Sequence, residues 1–198
     1  MSAQIERDFE FLAGVYFEGR FMVNMYEFTL NMDVNTDSMH EQNIAMDRIK
    51  FMIYEVFDNA VFVAESEKKV IEKYKDAGLN VCIIPEEPYD QIIALLLMLK
   101  FEAISENKLN MLDIVLTSKL SDEVRFKEDI VIAQATYPMQ GWWNDSSPSL
   151  TCNVKSKNKK EKVVKLVSTN EWNDLGLSWK EKKETTNEII FTSEILDK

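Results

Sequence analysis

Carboxylates are the only abundant groups in this chain that could do chemistry: Asp and Glu number 34 against 23 Lys and Arg, with one His and two Cys. The most suggestive set is Asp33, Asp37 and Glu41. Asp33 falls near the end of an alternating apolar and polar run, Asp37 lies just beyond it, and Glu41 opens the next helical pattern. Open α/β sheets place their sites beyond strand ends, and a few carboxylates on rigid elements, with water, suffice for Mg²⁺ or Mn²⁺. The trio therefore sketches a metal-dependent phosphoester hydrolase. Each member also has a plainer role, because Asp37 and Glu41 suit the free amides of a helix start and Asp33 lies on the polar side of its strand.

Asp113 is a second catalytic candidate beside Asp33. In an uninterrupted strand it shares a face with Leu109, Met111 and Val115. A carboxylate on an apolar face must be paired, hydrogen-bonded or protonated. The imidazole chemistry is limited to His40, in the first turn of a helix where the macrodipole disfavours its protonation. Zinc sites built from two or three histidines are thereby excluded within one chain. The five glycines, at 14, 19, 78, 141 and 176, form neither a dinucleotide fingerprint nor a phosphate loop. No G-x-S-x-G elbow exists. The sequence leans away from an enzyme, with no cofactor expected and Mg²⁺ or Mn²⁺ as the alternative.

Binding is the other chemistry on offer. Tyr137, Trp142 and Trp143 fall in the run YPMQGWWN, and all four tryptophans lie between 142 and 179. Adjacent residues of an extended chain point to opposite sides, so one of Trp142 and Trp143 is expected at the surface, where Trp marks interaction hot spots. The same rings could instead fasten the C-terminal region to the body as satellite core. Lys155, Lys157, Lys159, Lys160 and Lys162 crowd one turn without interleaved aromatics or Arg, the pattern of a solvated turn tip. With a net charge of −11, nucleic acid is a disfavoured partner.

These residues need elements to position them. Phe9 to Val23 reads as two strands about a Gly19 turn, followed by a separate strand from Met25 to Asn35. Ser38 and Glu41 form a capping box for a helix from Met39 to Phe57. Ala60–Ala64 and Asn80–Ile84 read as short buried strands, separated by a helix from Glu67 to Ala77 that Gly78 terminates. A third helix runs from Tyr89 to Ser105. Its segment Ile92–Leu99 is apolar on all sides, between Asp90 and Lys100, which predicts burial in a core or against a second copy of the chain. Strands are expected at Leu109–Ser118, Val124–Tyr137, Leu150–Lys155, Lys162–Val167 and Glu188–Leu196, with a short helix at Asn170–Lys183.

The expected fold is α/β or α+β: a mixed sheet, about three helices and a strand-rich C-terminal region. Residues 1–150 hold 13 basic and 26 acidic side chains and residues 151–198 hold 10 and 8. This suggests an acidic body over 1–148 and an extension over 149–198, in one domain or two. The first residues lack the basic start of a signal peptide, and the longest apolar run, eight residues, falls short of the roughly 20 needed to span a bilayer. Two cysteines make no disulfide framework. The sequence thus points to a cytoplasmic, non-enzymatic binding or assembly protein, with a protein partner or itself as a homo-oligomer. A metal-dependent hydrolase and a regulatory protein of a virus or mobile element are the alternatives.

Overall fold

A computed structural model describes residues 3–120, 124–150 and 171–180. Its sheet has six strands: β1 (Gln4–Phe17), β2 (Arg20–Val34), β3 (Val61–Ala64), β4 (Val81–Ile84), β5 (Leu109–Ser118) and β6 (Arg125–Asp129). Their order is β4-β3-β1-β2-β5-β6. The β3 and β4 strands run parallel to β1, and the other pairs are antiparallel. Four helices accompany them: α1 (Met39–Phe51), α2 (Lys68–Asp76), α3 (Asp90–Ser105) and α4 (Ile130–Thr136). This is an α+β fold with a mixed sheet.

β1 and β2 form one long hairpin. Glu18 and Gly19 both take positive φ, 47° and 75°, which a two-residue turn matching strand twist requires. The expected break between the second and third strands is absent, because β2 runs unbroken from Arg20 to Val34. One face of the hairpin buries Phe9, Phe11 and Val15 with Tyr26, Phe28, Leu30 and Met32. The opposite face carries Asp8, Glu10 and Glu27.

α1 starts on Ser38, whose hydroxyl accepts the Glu41 amide at 3.3 Å. The reciprocal half of the capping box does not form, because the Glu41 carboxylate turns to Thr36 and Lys108 instead. After Phe51 the helix widens into a π-helical turn, Met52–Phe57, that buries Met52, Ile53 and Phe57. Asp58 and Asn59 then bind the Leu12 amide and carbonyl at 2.9 and 2.6 Å, tying the helix end to the β1 edge.

α3 is covered by its own chain. Residues Ile92 to Phe101 are all buried, against α1, α4, β5, β6 and the 142–144 turn. The self-association face expected on Ile92–Leu99 is therefore not exposed, since the apolar circumference is satisfied within one molecule. Lys100, which bounds that run in the sequence, is itself fully buried. Its Nζ donates to the carbonyls of Asp145 and Ser147, both at 2.7 Å, Trp142 at 3.0 Å and Ser149 at 3.3 Å. Burying an ammonium demands such partners, so Lys100 folds the 142–149 segment over α3.

Two further expectations are corrected. Val124–Tyr137 is not one strand: the Asp129 carboxylate accepts the Val131 amide at 2.7 Å and starts α4, although Ile130, Val131 and Ile132 are β-branched. Within 171–180 the chain makes a single turn ended by Gly176 at φ 73°, not a helix. Trp172 and Trp179 nonetheless converge, on the two sides of Arg48, with ring centroids 4.8 and 3.7 Å from its guanidinium carbon. The strands expected at Leu150–Lys155, Lys162–Val167 and Glu188–Leu196, and the lysine-rich turn between the first two, fall outside the described residues, apart from Leu150. Among the described residues no helix is long and apolar enough to cross a membrane.

Replacing Lys100 by Met keeps the volume and strands the loop carbonyls. The expected loss is about 3 kcal/mol, at one to three for each polar group left buried and unpaired, read by denaturant unfolding. A loss below about 1 kcal/mol would show that the 142–149 segment does not depend on the ammonium.

Candidate functional site

Of the carboxylates singled out from sequence, Glu41 and Asp113 have side-chain partners. Both oxygens of Glu41 are engaged, one accepting from Thr36 Oγ1 at 2.6 Å and the other from Lys108 Nζ at 2.9 Å. These two contacts, the Lys108 one first, hold its carboxyl below the ordinary range. Asp37 is exposed, and Asp33 keeps a buried Oδ1 with no hydrogen-bond partner. Among the described residues no group of three or more His, Cys, Asp or Glu is placed to hold a metal ion. His40 Nε2 is buried without a partner.

Asp113 is not on the apolar face. Met32 pairs with Met111 but Asn31 pairs with Asp113, so Leu112 is an extra residue, a β-bulge. One added residue reverses the alternation, and Leu109 and Met111 continue inward as Ile114 and Leu116. Asp113 turns outward, where it accepts from Asn31 Nδ2 at 2.7 Å and faces Lys127 Nζ at 3.5 Å. The Met111 amide, beside the bulge, donates to Glu102 of α3 at 2.6 Å.

The aromatic run is largely internal. Trp142 is buried against Phe57 and donates Nε1 to the Ile83 carbonyl at 2.7 Å. Tyr137 is buried, and burial, then the Glu86 charge, pushes its phenol up to about 12. Trp143 alone is half-exposed. Its ring stands over Gly141, where a Cβ would run into the indole carbons, and its buried Nε1 has no partner. In the same stretch of chain Val131, Ile132 and Met139 are exposed. Cys82 is a buried free thiol held above its ordinary range by burial.

A site that sequence reasoning missed lies between the β1–β2 hairpin and the start of α3. It is a cavity of about 420 Å³. Val15, Phe17, Met22, Leu120 and Phe126 supply apolar wall, and Pro88 and Tyr89 bring the helix start against them. Phe17 and Tyr89 meet edge to face at 5.1 Å. Tyr26 is a lining residue with no exposed surface, and its hydroxyl stands near the Asn24 side chain without a hydrogen bond of good geometry. Asn24 Nδ2 donates to Ser118 Oγ at 2.8 Å, and Asn24 Oδ1 accepts the Leu120 amide at 3.2 Å. Burial, and secondarily the charge of Asp90, holds the Tyr26 phenol far above its ordinary range. Asp90 and Gln91 complete the lining, and the Gln91 amide donates to buried Glu128 at 2.6 Å. No sequence pattern marks these residues, which come from five separate stretches.

A buried hydroxyl without a partner costs about 1–3 kcal/mol. Tyr26→Phe is therefore expected to stabilise the ligand-free protein by about 1 kcal/mol. It should also remove a phenol whose ionisation lies above the ordinary tyrosine range in an alkaline absorbance titration. The sign follows from the raised value: the neutral phenol favours the folded state, and that advantage disappears as pH climbs from the ordinary tyrosine range towards the raised one. Destabilisation by Tyr26→Phe would show that the hydroxyl is already paired.

No protein-family model matches the chain, and no curated protein is similar to it in sequence. Among solved structures, the uncharacterized protein WS1659 from Wolinella succinogenes is similar over 65% of this chain and 98% of its own, at 12% identity and a TM-score of 0.46.

Proposed function

We propose that the chain is a non-catalytic binding protein that takes a small molecule into the cavity between the hairpin and the start of α3. The observation that carries this reading is the cavity itself, apolar-walled, with Asn24, Tyr26, Asp90 and Gln91 among its few polar groups. Ligand sites have this composition, a mostly apolar lining with few polar groups. Among the described residues the cavity lining offers one carboxylate and two phenols, and no thiol, imidazole or lysine. The carboxylate chemistry that favours a hydrolase is engaged elsewhere, at Glu41 and Asp113.

A neutral probe tests the site. Titration with 2-phenylethanol should shift the amide resonances of Val15, Asn24 and Gln91 saturably, and Met22→Trp should abolish the shifts by filling the cavity. Shifts that are absent, or scattered over the surface, would overturn the reading.

A second reading, self-association through the α4 and Trp143 region, draws on the exposed Val131, Ile132 and Met139. Large exposed apolar side chains near one another suit an interface. Light scattering should then give a dimer mass for the native chain and a monomer mass for Met139→Lys. A native monomer at high micromolar concentration would remove this reading.

A further inference from the structure

We infer that the molecule bound in this cavity is an organic cation, an ammonium carried on an apolar, ring-sized body. This rests on the cavity being a binding site. It adds the chemical class of ligand, which the charges and rings around the cavity select.

Among the described residues the ionisable side chains lining the cavity are Asp90 and the tyrosines, with no Lys or Arg. Gln91 donates to Glu128, itself buried, at 2.6 Å. Of the basic residues adjoining the lining in sequence, Lys119 is ion-paired with Glu27 at 2.9 Å, and Arg125 precedes Phe126 on the alternate side of β6. A carboxylate ligand would meet Asp90 with no cation to offset it. The start of α3 does not reverse this. Its amides carry positive potential, but Asp90 sits in that first turn and opposes it.

The rings favour the same charge. Phe17, Tyr26, Tyr89 and Phe126 all contribute lining, and an ammonium near an aromatic face is attracted by the ring quadrupole. The carboxylate of Asp90, half-buried in the lining, can accept from an ammonium N–H. Val15, Met22 and Leu120 give the hydrocarbon part of the ligand its contact. At about 420 Å³ the cavity is near the small end of ligand pockets, which suits one ring and a short chain.

Calorimetry with three probes of one shape separates the class of ligand from the existence of the site: phenethylamine as the cation, 2-phenylethanol as the neutral form and 3-phenylpropanoate as the anion. The native chain should bind the amine about tenfold more tightly than the alcohol, and the propanoate more weakly than either. Asp90→Asn should remove the advantage of the amine while leaving the alcohol within about twofold. Asp90→Ser, which keeps a helix-start residue, should do the same if the Asn variant folds poorly. Equal binding of amine and alcohol would overturn the cation and leave the site standing. Tightest binding by the propanoate, or an amine advantage that survives both Asp90 variants, would likewise overturn it. Binding of none of the three would overturn the site and the cation together.

Discussion

A lysine ammonium with no access to water dictates how the helical layer of this protein closes. Lys100 lies on α3, among residues that are apolar almost without exception, and is fully buried. An ammonium in such a place needs acceptors that its own helix cannot provide, because helical carbonyls are already engaged. The carbonyls of Trp142, Asp145, Ser147 and Ser149 answer that need. Because they come from one irregular segment, the segment must wrap around the charge. In doing so it lays Trp142 against Phe57 and caps the Ile83 carbonyl beside β4.

Arg48 repeats the device on the other side of the helical layer. Its guanidinium, 2% exposed, donates to the carbonyls of Ile104 and Leu177 and to Glu106. Trp172 and Trp179 sandwich it, and their indole nitrogens donate to the Ser146 carbonyl and to Glu106. The planar, delocalised charge of Arg suits stacking between rings in a way that Lys does not. Three of the four tryptophans thus serve as fasteners, each with its N–H satisfied. These contacts hold residues 142–150 and 171–180 against the same helices.

The cavity follows from the opposite end of α3. The helix reaches the sheet where the long hairpin turns at Glu18 and Gly19, and β5 and β6 close the far side. On β1, β3 pairs only with Gly14, Val15 and Tyr16, next to the hairpin turn. Phe21 packs over Gly14, where a Cβ would come within 2.6 Å of its ring, a cross-strand aromatic covering a glycine. A stiff hairpin end, a helix start and a strand pair meet without filling the space between them. That leaves Tyr26 buried by apolar neighbours but short of a hydrogen-bond partner.

Local rules were enough for much of this. Period-2 alternation located β2 and β5, Gly19 and Gly78 marked a turn and a helix end, Ser38 marked a helix start, and the all-round apolar run marked α3 as buried. These are short-range signals, set by backbone sterics and by the faces a residue can present. What the tertiary structure decided depended on neighbours distant in sequence. Leu112 bulges out of the β2–β5 ladder where the Met111 amide turns to Glu102, and that one residue moved Asp113 from an apolar face to a polar one. Asp129 overrode three β-branched residues by satisfying a free amide. Lys100 reads in sequence as the polar end of an apolar run and proves to be its most buried charge. Of the carboxylates that sequence spacing brought together, Glu41 turned to Thr36 and Lys108, Asp37 stayed exposed and Asp33 kept an unpartnered oxygen, whereas the candidate ligand site drew residues from five stretches with no common pattern. Sequence by itself settled which segments would be strands and helices wherever one face had to be buried. The identity of each polar group's partner waited on packing, because a hydrogen bond depends on distance and direction, and folding alone supplies those.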